Sequence, residues 1–240
     1  MTAAAADSGT DPGGGLDAWP AGFRHLAGYF DRNPDQPTYY GVPGRRHDTL
    51  PDNSLGALTA WHAREDEWLA EARALDPTTI AAPPLRATYA IVREALEGAV
   101  AARVCRAELW PVSQMTGWQV QMGYLVTIQP VGSDEARQQA LARWSSLPGY
   151  LDTEIANLRE GLRLGYSAPR HIVDIVIGQV NGLIAATGAD APFLSPAERD
   201  PTPEFKKAFA SLVSIQVIPA FVRYRDFLQK ESLARAPEAI

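Results

Sequence analysis

Two amphipathic helices joined by a capped turn, over residues 143–180, constrain the fold of this chain more than any other stretch. Gly165 stands where a helix C-terminus favours glycine, and Pro169 stands in the first turn of the next helix, where its missing N–H costs nothing. The second helix carries apolar side chains on a wide arc from Ile172 to Ile184, so we expect it to be buried against neighbouring helices. The first helix has one apolar face, formed by Leu151, Ile155, Leu158 and Leu162.

Apolar residues recur at helical spacing in several other segments, most of them closed by proline. Ser54 or its neighbours can cap one of these helices, and Ser133 another. Pro148 is expected to end a helix, and Pro219 to kink one. The predicted helices cover residues 16–30, 55–75, 84–109, 133–147 and the stretch from Glu204 onward. The connections 31–54 and 188–203 are predicted to be irregular because they are rich in proline and glycine.

Residues 113–129 fit two patterns. Val120, Met122 and Tyr124 alternate as in a strand, whereas Trp118, Met122 and Leu125 fit a helix. A lone strand would leave its backbone groups without partners, so we predict a helix here. The fold class is therefore all-α, a multi-helix bundle or array with long Pro/Gly-rich connections. Residues 1–15 are predicted to be a disordered tail, and residues 16–240 a helical domain.

The overall composition excludes several classes of function. The net charge of -6 argues against nucleic-acid binding, and the absence of a long unbroken apolar run argues against a membrane span. The single cysteine, Cys105, follows a helical pattern and is predicted to be buried and inert. Residues 1–15 lack the features of a signal peptide, so a cytoplasmic location is expected unless a leader precedes the chain as given.

Sequence motifs for catalysis are missing. None of the four histidines (His25, His47, His62 and His171) stands in an HExxH pattern, so no metal ligand is assigned. The segment 165–169 departs from G-x-S-x-G at its last position and follows a helix rather than a strand, so Ser167 is interpreted as a helix cap. No catalytic residue is assigned, and no cofactor is expected to bind this chain alone.

Several polar residues remain as candidates for binding. Gln179 lies at the edge of an apolar arc. We favour a hydrogen bond to a neighbouring helix, and the alternative is that it lines a cleft. Arg170 and Asp174 are spaced for an ion pair along one helix. Glutamines also gather near two aromatic residues, where amides can recognise a peptide backbone or make ordinary helix contacts; they are Gln114, Gln119, Gln121 and Gln129.

Residues 33–240 as a whole resemble a bacterial family, domain of unknown function 885, thought to comprise helical zinc metallopeptidases. The similar stretches are TYYGVPGRRHDTLPDNS, ELWPVSQMTGWQVQ, QPVG, the segment from ARWSSLPGYLD to HIVDIVIGQV, and FLQKESLARAPEAI. In the family, the HExxH-type motif lies in a C-terminal half beyond the last of these stretches. The resemblance therefore implies the N-terminal helical wall of a peptidase cleft, without zinc, its ligands or the general base.

The resemblance also implies which residues could face a substrate, a peptide being the expected one. They are Gln114, Trp118, Gln129, Arg143, Tyr166, Arg170 and Gln179. Gly161 and Gly165 are interpreted as packing and turn residues. The expected partner is the C-terminal half of the family protein, in cis or as a separate chain. The alternative is a self-contained helical binding module without catalysis.

Overall fold

The computed structural model describes residues 20–238, and this part of the chain contains α-helices, short 3-10 turns and π-helical segments but no strand. The predicted all-α fold is confirmed. The predicted tail 1–15 and the start of the first predicted helix lie outside the described residues. The helices are α1 (Pro20–Arg32), α2 (Gln36–Tyr40), α3 (Leu55–Ala74), α4 (Pro83–Ala102), α5 (Trp118–Ile128), α6 (Asp134–Leu164), α7 (Arg170–Ala185), α8 (Ser195–Arg199), α9 (Pro203–Leu212) and α10 (Ile218–Phe227).

The capped hairpin of α6 and α7 forms as predicted. Gly165 adopts the left-handed conformation, with φ of 87°, and its backbone N–H donates to carbonyls of the last turn of α6. Gly161 packs so closely against the backbone of Leu109 that a Cβ atom there would overlap the Leu109 carbonyl. Ser167 is not a cap: its hydroxyl donates to the Ala168 carbonyl, and Pro169 occupies the capping position of α7.

Pro148 does not end a helix, contrary to the prediction. Helix α6 runs through it for 31 residues, so the predicted helices on either side of Pro148 are one helix. Proline inside a helix costs about 3 kcal/mol. Trp144, Leu147 and Leu151 lie within about one turn of Pro148 and are completely buried, and burying three such side chains contributes roughly 6 kcal/mol. Packing therefore outweighs the local cost of the proline.

Helix α4 is shorter than predicted and ends at Ala102 rather than near Leu109. Two 3-10 turns follow, and between them Arg106 takes a left-handed conformation with φ of 46°. Because the helix stops early, Val104 is 80% exposed and Cys105 is also exposed. The prediction that Cys105 is buried is therefore wrong.

Other predicted boundaries hold. Ser54 caps α3 by accepting from the N–H of Ala57 at 3.1 Å, and Ser133 caps α6 by accepting from the N–H of Ala136 at 3.1 Å. Residues 118–128 form helix α5, so the choice of a helix over a strand is confirmed, but residues 113–117 before it are a turn rather than part of the predicted helix. The two irregular connections contain short helices that the sequence does not predict: α2 in the first, and α8 with two 3-10 turns in the second.

The last helical stretch, Pro203–Ser232, is continuous but irregular. A π-helical segment, Val213–Val217, stands directly before Pro219, where a kink is predicted, and a second one follows α10. The stretch is long and apolar enough to cross a membrane by length and composition alone, a test that core helices of soluble proteins also pass. Its side chains Phe209, Val217 and Phe221 are completely buried in the helical core, whereas Ile215 is 69% exposed and 33% of the most apolar window is buried, so packing accounts for part of its apolar character.

The chain divides into two compact units. The first includes residues 62–102, and its small core is formed by Ala72, Ile80 and Tyr89, whose hydroxyl donates to the Ala72 carbonyl at 3.1 Å. The second consists of residues 30–61 and 103–240 and contains helices α5 to α10 around one large apolar core. All seven candidate residues belong to the second unit.

Candidate functional site

A buried guanidinium group joins helix α6 to the connection that precedes α3. Arg143 is 0% exposed. Burial lowers the pKa of Arg143 to about 10, although the nearby carboxylates Asp35 and Asp48 oppose the shift. Its hydrogen-bond partners are all uncharged: the Thr49 carbonyl at 3.0 Å, Thr38 Oγ1 at 2.9 Å, Gln129 Oε1 at 3.0 Å and the Pro34 carbonyl at 3.2 Å.

Gln129 completes this network. Its Nε2 donates to the His47 carbonyl at 3.1 Å, and its own backbone carbonyl accepts from the guanidinium of Arg199 at 2.7 Å. The imidazole of His47 is 2.8 Å from Thr38 Oγ1, and burial together with the charge of Arg143 lowers the pKa of His47. Because Gln129 and Arg143 are both 0% exposed, the structure places them inside the second unit rather than on a surface open to substrate.

Three glutamines form a second polar cluster, where α5 and α7 meet. Nε2 of Gln119 donates to Oε1 of Gln179 at 2.8 Å and to the Ser113 carbonyl at 2.8 Å. Nε2 of Gln179 donates to the Gln114 carbonyl at 3.0 Å. The favoured interpretation of Gln179, a hydrogen bond to a neighbouring element, is therefore confirmed.

Gly117 makes room for this cluster. A Cβ atom at position 117 would overlap both the Gln119 amide and the Ser113 carbonyl. Any residue other than glycine would push the Gln119 side chain away from Gln179. In the sequence, this contact is indicated only by G-W-Q, where a glycine stands two residues before the amide of Gln119. Gln119 is not among the seven candidates.

A cleft of 310 Å³ opens beside the amide pair. It is lined by Gln119, Val120 and Gln179, and by residues at the C-terminal end of α7. A larger pocket of 540 Å³ adjoins it, lies against the C-terminal end of α7 and the π segment, and is lined mainly by apolar side chains. The cleft and the pocket share Leu183, Ala186 and Pro192. Ligand sites are usually concave and apolar with a few polar groups, which matches this surface. Gln179 therefore both bonds to its neighbours and lines a cleft.

The remaining candidates lie elsewhere in the second unit. Trp118 is buried in the core, where its ring is 5.1 Å from the rings of Phe221 and Tyr224. Tyr166 follows the turn after α6, and its N–H donates to the Gly161 carbonyl at 2.9 Å. Arg170 begins α7 and pairs with Glu238 at 2.7 Å, so the predicted pair with Asp174 is not the one that forms.

A buried carboxyl group, that of Glu154, is not predicted by the sequence patterns. Glu154 of α6 is buried, and its Oε2 accepts from Nδ2 of Asn53 at 3.0 Å. Burial raises the pKa of Glu154 to about 7, and the hydrogen bond from Asn53 opposes the rise. Asn157 donates to the Asn53 carbonyl at 2.7 Å. Glu154 lies outside the apolar pattern of α6, and its partner Asn53 is far away in the sequence, so the periodicity of apolar residues does not predict that Glu154 is buried.

The described residues contain no group of side chains suited to a metal ion. Among residues 20–238, no three or more histidine, cysteine, aspartate or glutamate side chains are grouped so that they could hold a metal ion. A structural zinc site needs about four such ligands, and a catalytic site about three. The described residues therefore do not fit a zinc site.

Comparison with protein families gives the class of protein. The family model described as "Bacterial protein of unknown function (DUF885)" matches residues 34–239. The chain therefore belongs to this family. The resemblance inferred from the sequence is confirmed. No curated protein matches the chain.

A solved structure is similar in fold to this chain. It is described as "The crystal structure of the putative lipoprotein from Colwellia psychrerythraea", and it matches with a TM-score of 0.75 and 12% sequence identity. The match covers 92% of this chain and 42% of that protein, so the chain spans less than half the length of its structural neighbour. At this identity the likeness shows the fold alone.

Proposed function

We propose that this helical chain holds a polypeptide substrate for a zinc-dependent, peptidase-like hydrolase and does not break bonds by itself. The observation that carries the proposal is the cleft beside Gln119 and Gln179, which shares lining residues with the 540 Å³ apolar pocket. A neutral amide at the edge of an apolar groove suits a peptide backbone, which offers neutral donors and acceptors. The hydrolytic chemistry itself is inferred from the family resemblance.

The proposed catalytic partner is the remaining part of a longer family protein, in cis or as a separate chain. The structural neighbour, of which this chain covers 42%, supports a longer arrangement of this kind. Zinc, when bound there, would activate water for hydrolysis. Helix α5 offers a face for contact: it contains no charged residue and exposes Val120 by 39% and Tyr124 by 58%, about one turn apart.

Metal analysis and peptide turnover test the proposal. The purified chain is incubated with zinc, dialysed and assayed against a mixed peptide library, with and without a chelator. We expect peptide binding, less than one bound zinc per chain and no hydrolysis. One equivalent of zinc together with hydrolysis that the chelator abolishes would contradict the inactivity of the chain alone. Absence of peptide binding would contradict the holding role.

We also propose an exported location in place of the cytoplasmic one expected from composition. The structural neighbour is described as a "putative lipoprotein", and lipoproteins are carried to the cell envelope, which supports the proposal by analogy of fold. Fractionation of cells expressing the full-length gene, with antibody detection in each fraction, is the test. Recovery only with cytoplasmic marker proteins would contradict it.

A further inference from the structure

We propose that the cleft and its adjoining pocket select a large apolar residue within an uncharged stretch of the bound polypeptide. This inference rests on the proposed function, because it names the kind of chain that the same site would hold. The pocket is to take the apolar side chain, and the amide cleft is to take the neighbouring backbone carbonyl.

The pocket has the size and character of a side-chain site. Its volume of 540 Å³ is within the range of ligand pockets, and none of the described residues that line it is charged. Phe193, Leu194, Val213 and Ile218 contribute apolar surface. A charged side chain would lose its water here without gaining a partner, whereas an apolar side chain would gain from leaving water.

The cleft supplies a neutral donor next to this pocket. One N–H of the Gln179 amide goes to the Gln114 carbonyl, and the second has no acceptor within residues 20–238. A peptide carbonyl is a neutral acceptor that could take it. Asp190, the one charged side chain among the described residues lining this cleft, would repel an anionic ligand. Leu183 lies in both walls, so the cleft and the pocket are next to each other.

The backbone beside the pocket is also unusual. Val213 and Ser214, which line it, begin the π-helical segment Val213–Val217. Single π-helical turns inside α-helices are frequent at functional sites. Ser214 is exposed and its hydroxyl donates to the Ser211 carbonyl at 3.1 Å, so a larger side chain at this position would fill the pocket without disturbing the core.

Blocked single residues, each with an N-acetyl and an N-methylamide group, are suitable probes. The leucine, glycine, glutamate and lysine derivatives are titrated against the whole chain by ligand-observed NMR. For a ligand of this size we expect the leucine derivative to bind with a Kd on the order of 1 mM. Burial of a leucine side chain is worth roughly 10- to 100-fold in affinity, so the glycine derivative should bind weaker by that factor. The glutamate derivative should bind no better than glycine, and the lysine derivative, which Asp190 can attract at the cleft but the apolar pocket cannot hold, should bind more weakly than leucine.

Two pairs of variants locate the site. Ser214→Trp fills the pocket and should weaken binding of the leucine derivative at least about tenfold, whereas Ser145→Trp is its control. Ser145 is likewise exposed and mid-helical, and its hydroxyl donates to the Ala142 carbonyl at 2.8 Å. Gln179→Leu removes the free N–H together with the hydrogen bonds to Gln119 and Gln114 and should weaken binding about fivefold, whereas Gln138→Leu, at an exposed position of α6 outside the lining of either cavity, should not.

Each outcome has one meaning. Preference for leucine that Ser214→Trp abolishes and Ser145→Trp leaves intact supports the inference. Preference for lysine or glutamate overturns it, as does leucine binding that neither Ser214→Trp nor Gln179→Leu changes. If the peptide library binds in the earlier test but the pocket variants have no effect, the holding role stands and only this site is wrong. If no peptide binds in either test, both proposals fail.

Discussion

The carboxyl group of Glu154 should make the folded chain less stable as the pH rises through the weakly acidic range. Its pKa is about 7 in the folded protein because of burial, against an ordinary value of 4.5. Between these values the unfolded chain has lost the proton and the folded chain keeps it, so the free energy of unfolding falls as the pH rises from 4.5 to 7. Above that range the loss is constant, at about 3 kcal/mol.

Substitution of Glu154 by glutamine isolates this effect. The amide has the shape of the protonated carboxyl, can still accept from Nδ2 of Asn53, and cannot ionise. Glu154→Gln should therefore be about 3 kcal/mol more stable than the unaltered chain at about pH 8 and nearly equal to it at about pH 4. Glu160→Gln is the matched control on the same helix, because Glu160 pairs with Arg163 at the surface and should produce no such gain.

Urea unfolding followed by far-ultraviolet circular dichroism, repeated across this pH range, gives the required free energies. The decisive quantity is the difference between Glu154→Gln and the unaltered chain as a function of pH. If the variant is equally stable or less stable at about pH 8, the carboxyl of Glu154 is not held protonated by burial, and the reasoning is refuted.

Four further predictions follow from single contacts. Arg143→Ala leaves the Thr49 and Pro34 carbonyls without their donor and should lower the free energy of unfolding in urea by about 4 kcal/mol. A decrease of less than about 1 kcal/mol would contradict the role of Arg143 in holding residues 34–49 against α6. Gly161→Ala drives a Cβ into the Leu109 carbonyl and should cost about 3 kcal/mol in the same assay, where a neutral result would refute the close packing. Burial would raise the pKa of Asp200, but hydrogen bonds from Thr202, Arg137 and Gly132 lower it to about 2. The folded chain should therefore lose stability as the pH falls from about 4 towards 2. Asp200→Asn should make the melting temperature depend less on pH in this range. Gly117→Ala should displace the Gln119 amide and weaken binding of the leucine derivative about fivefold, and unchanged binding would separate the amide pair from the ligand site.

The elements that the sequence predicts correctly depend on neighbours within one or two helical turns. The caps at Ser54 and Ser133 each need an N–H three residues ahead, and the turn at Gly165 needs only a residue that tolerates positive φ. Such features are visible in the local sequence. They are sufficient to predict the hairpin of α6 and α7, whereas the helical state of residues 118–128 follows only from the lack of a partner strand elsewhere in the sequence.

The predictions that failed were decided by distant contacts. Pro148 is a local signal to stop a helix, but the burial of Trp144 and Leu151 against other elements overrides it. Cys105 follows an apolar pattern, yet helix α4 ends at Ala102, and Cys105 lies in a 3-10 turn that is followed by Arg106 in the left-handed conformation. A pattern of side chains reports which face could be buried, and the tertiary fold decides where the element ends.

The candidate site shows the same division. Arg143 meets Thr38 across 105 positions of the chain, and Glu154 meets Asn53 across 101, so no spacing rule could pair them. Gln179 is recognisable as a polar residue at an apolar edge, but only the folded chain brings Gln119, 60 positions away, into contact with it. Of the seven residues that the resemblance implied, Gln129 and Arg143 are buried in a polar network, whereas Gln179 lines the cleft.

The partners of the buried polar residues on α6 explain this distinction. Residues 31–54 have little regular structure, so many of their carbonyls have no helical partner and need donors from elsewhere. Arg143 supplies donors to Pro34 and Thr49, and Asn157 supplies one to Asn53. The donors of these side chains are already hydrogen-bonded to backbone carbonyls, so they are not available to bind a ligand. The Gln179 amide at the cleft keeps one N–H without an acceptor among residues 20–238, beside an open apolar pocket, so that surface, rather than the larger buried network, is where a substrate should be sought.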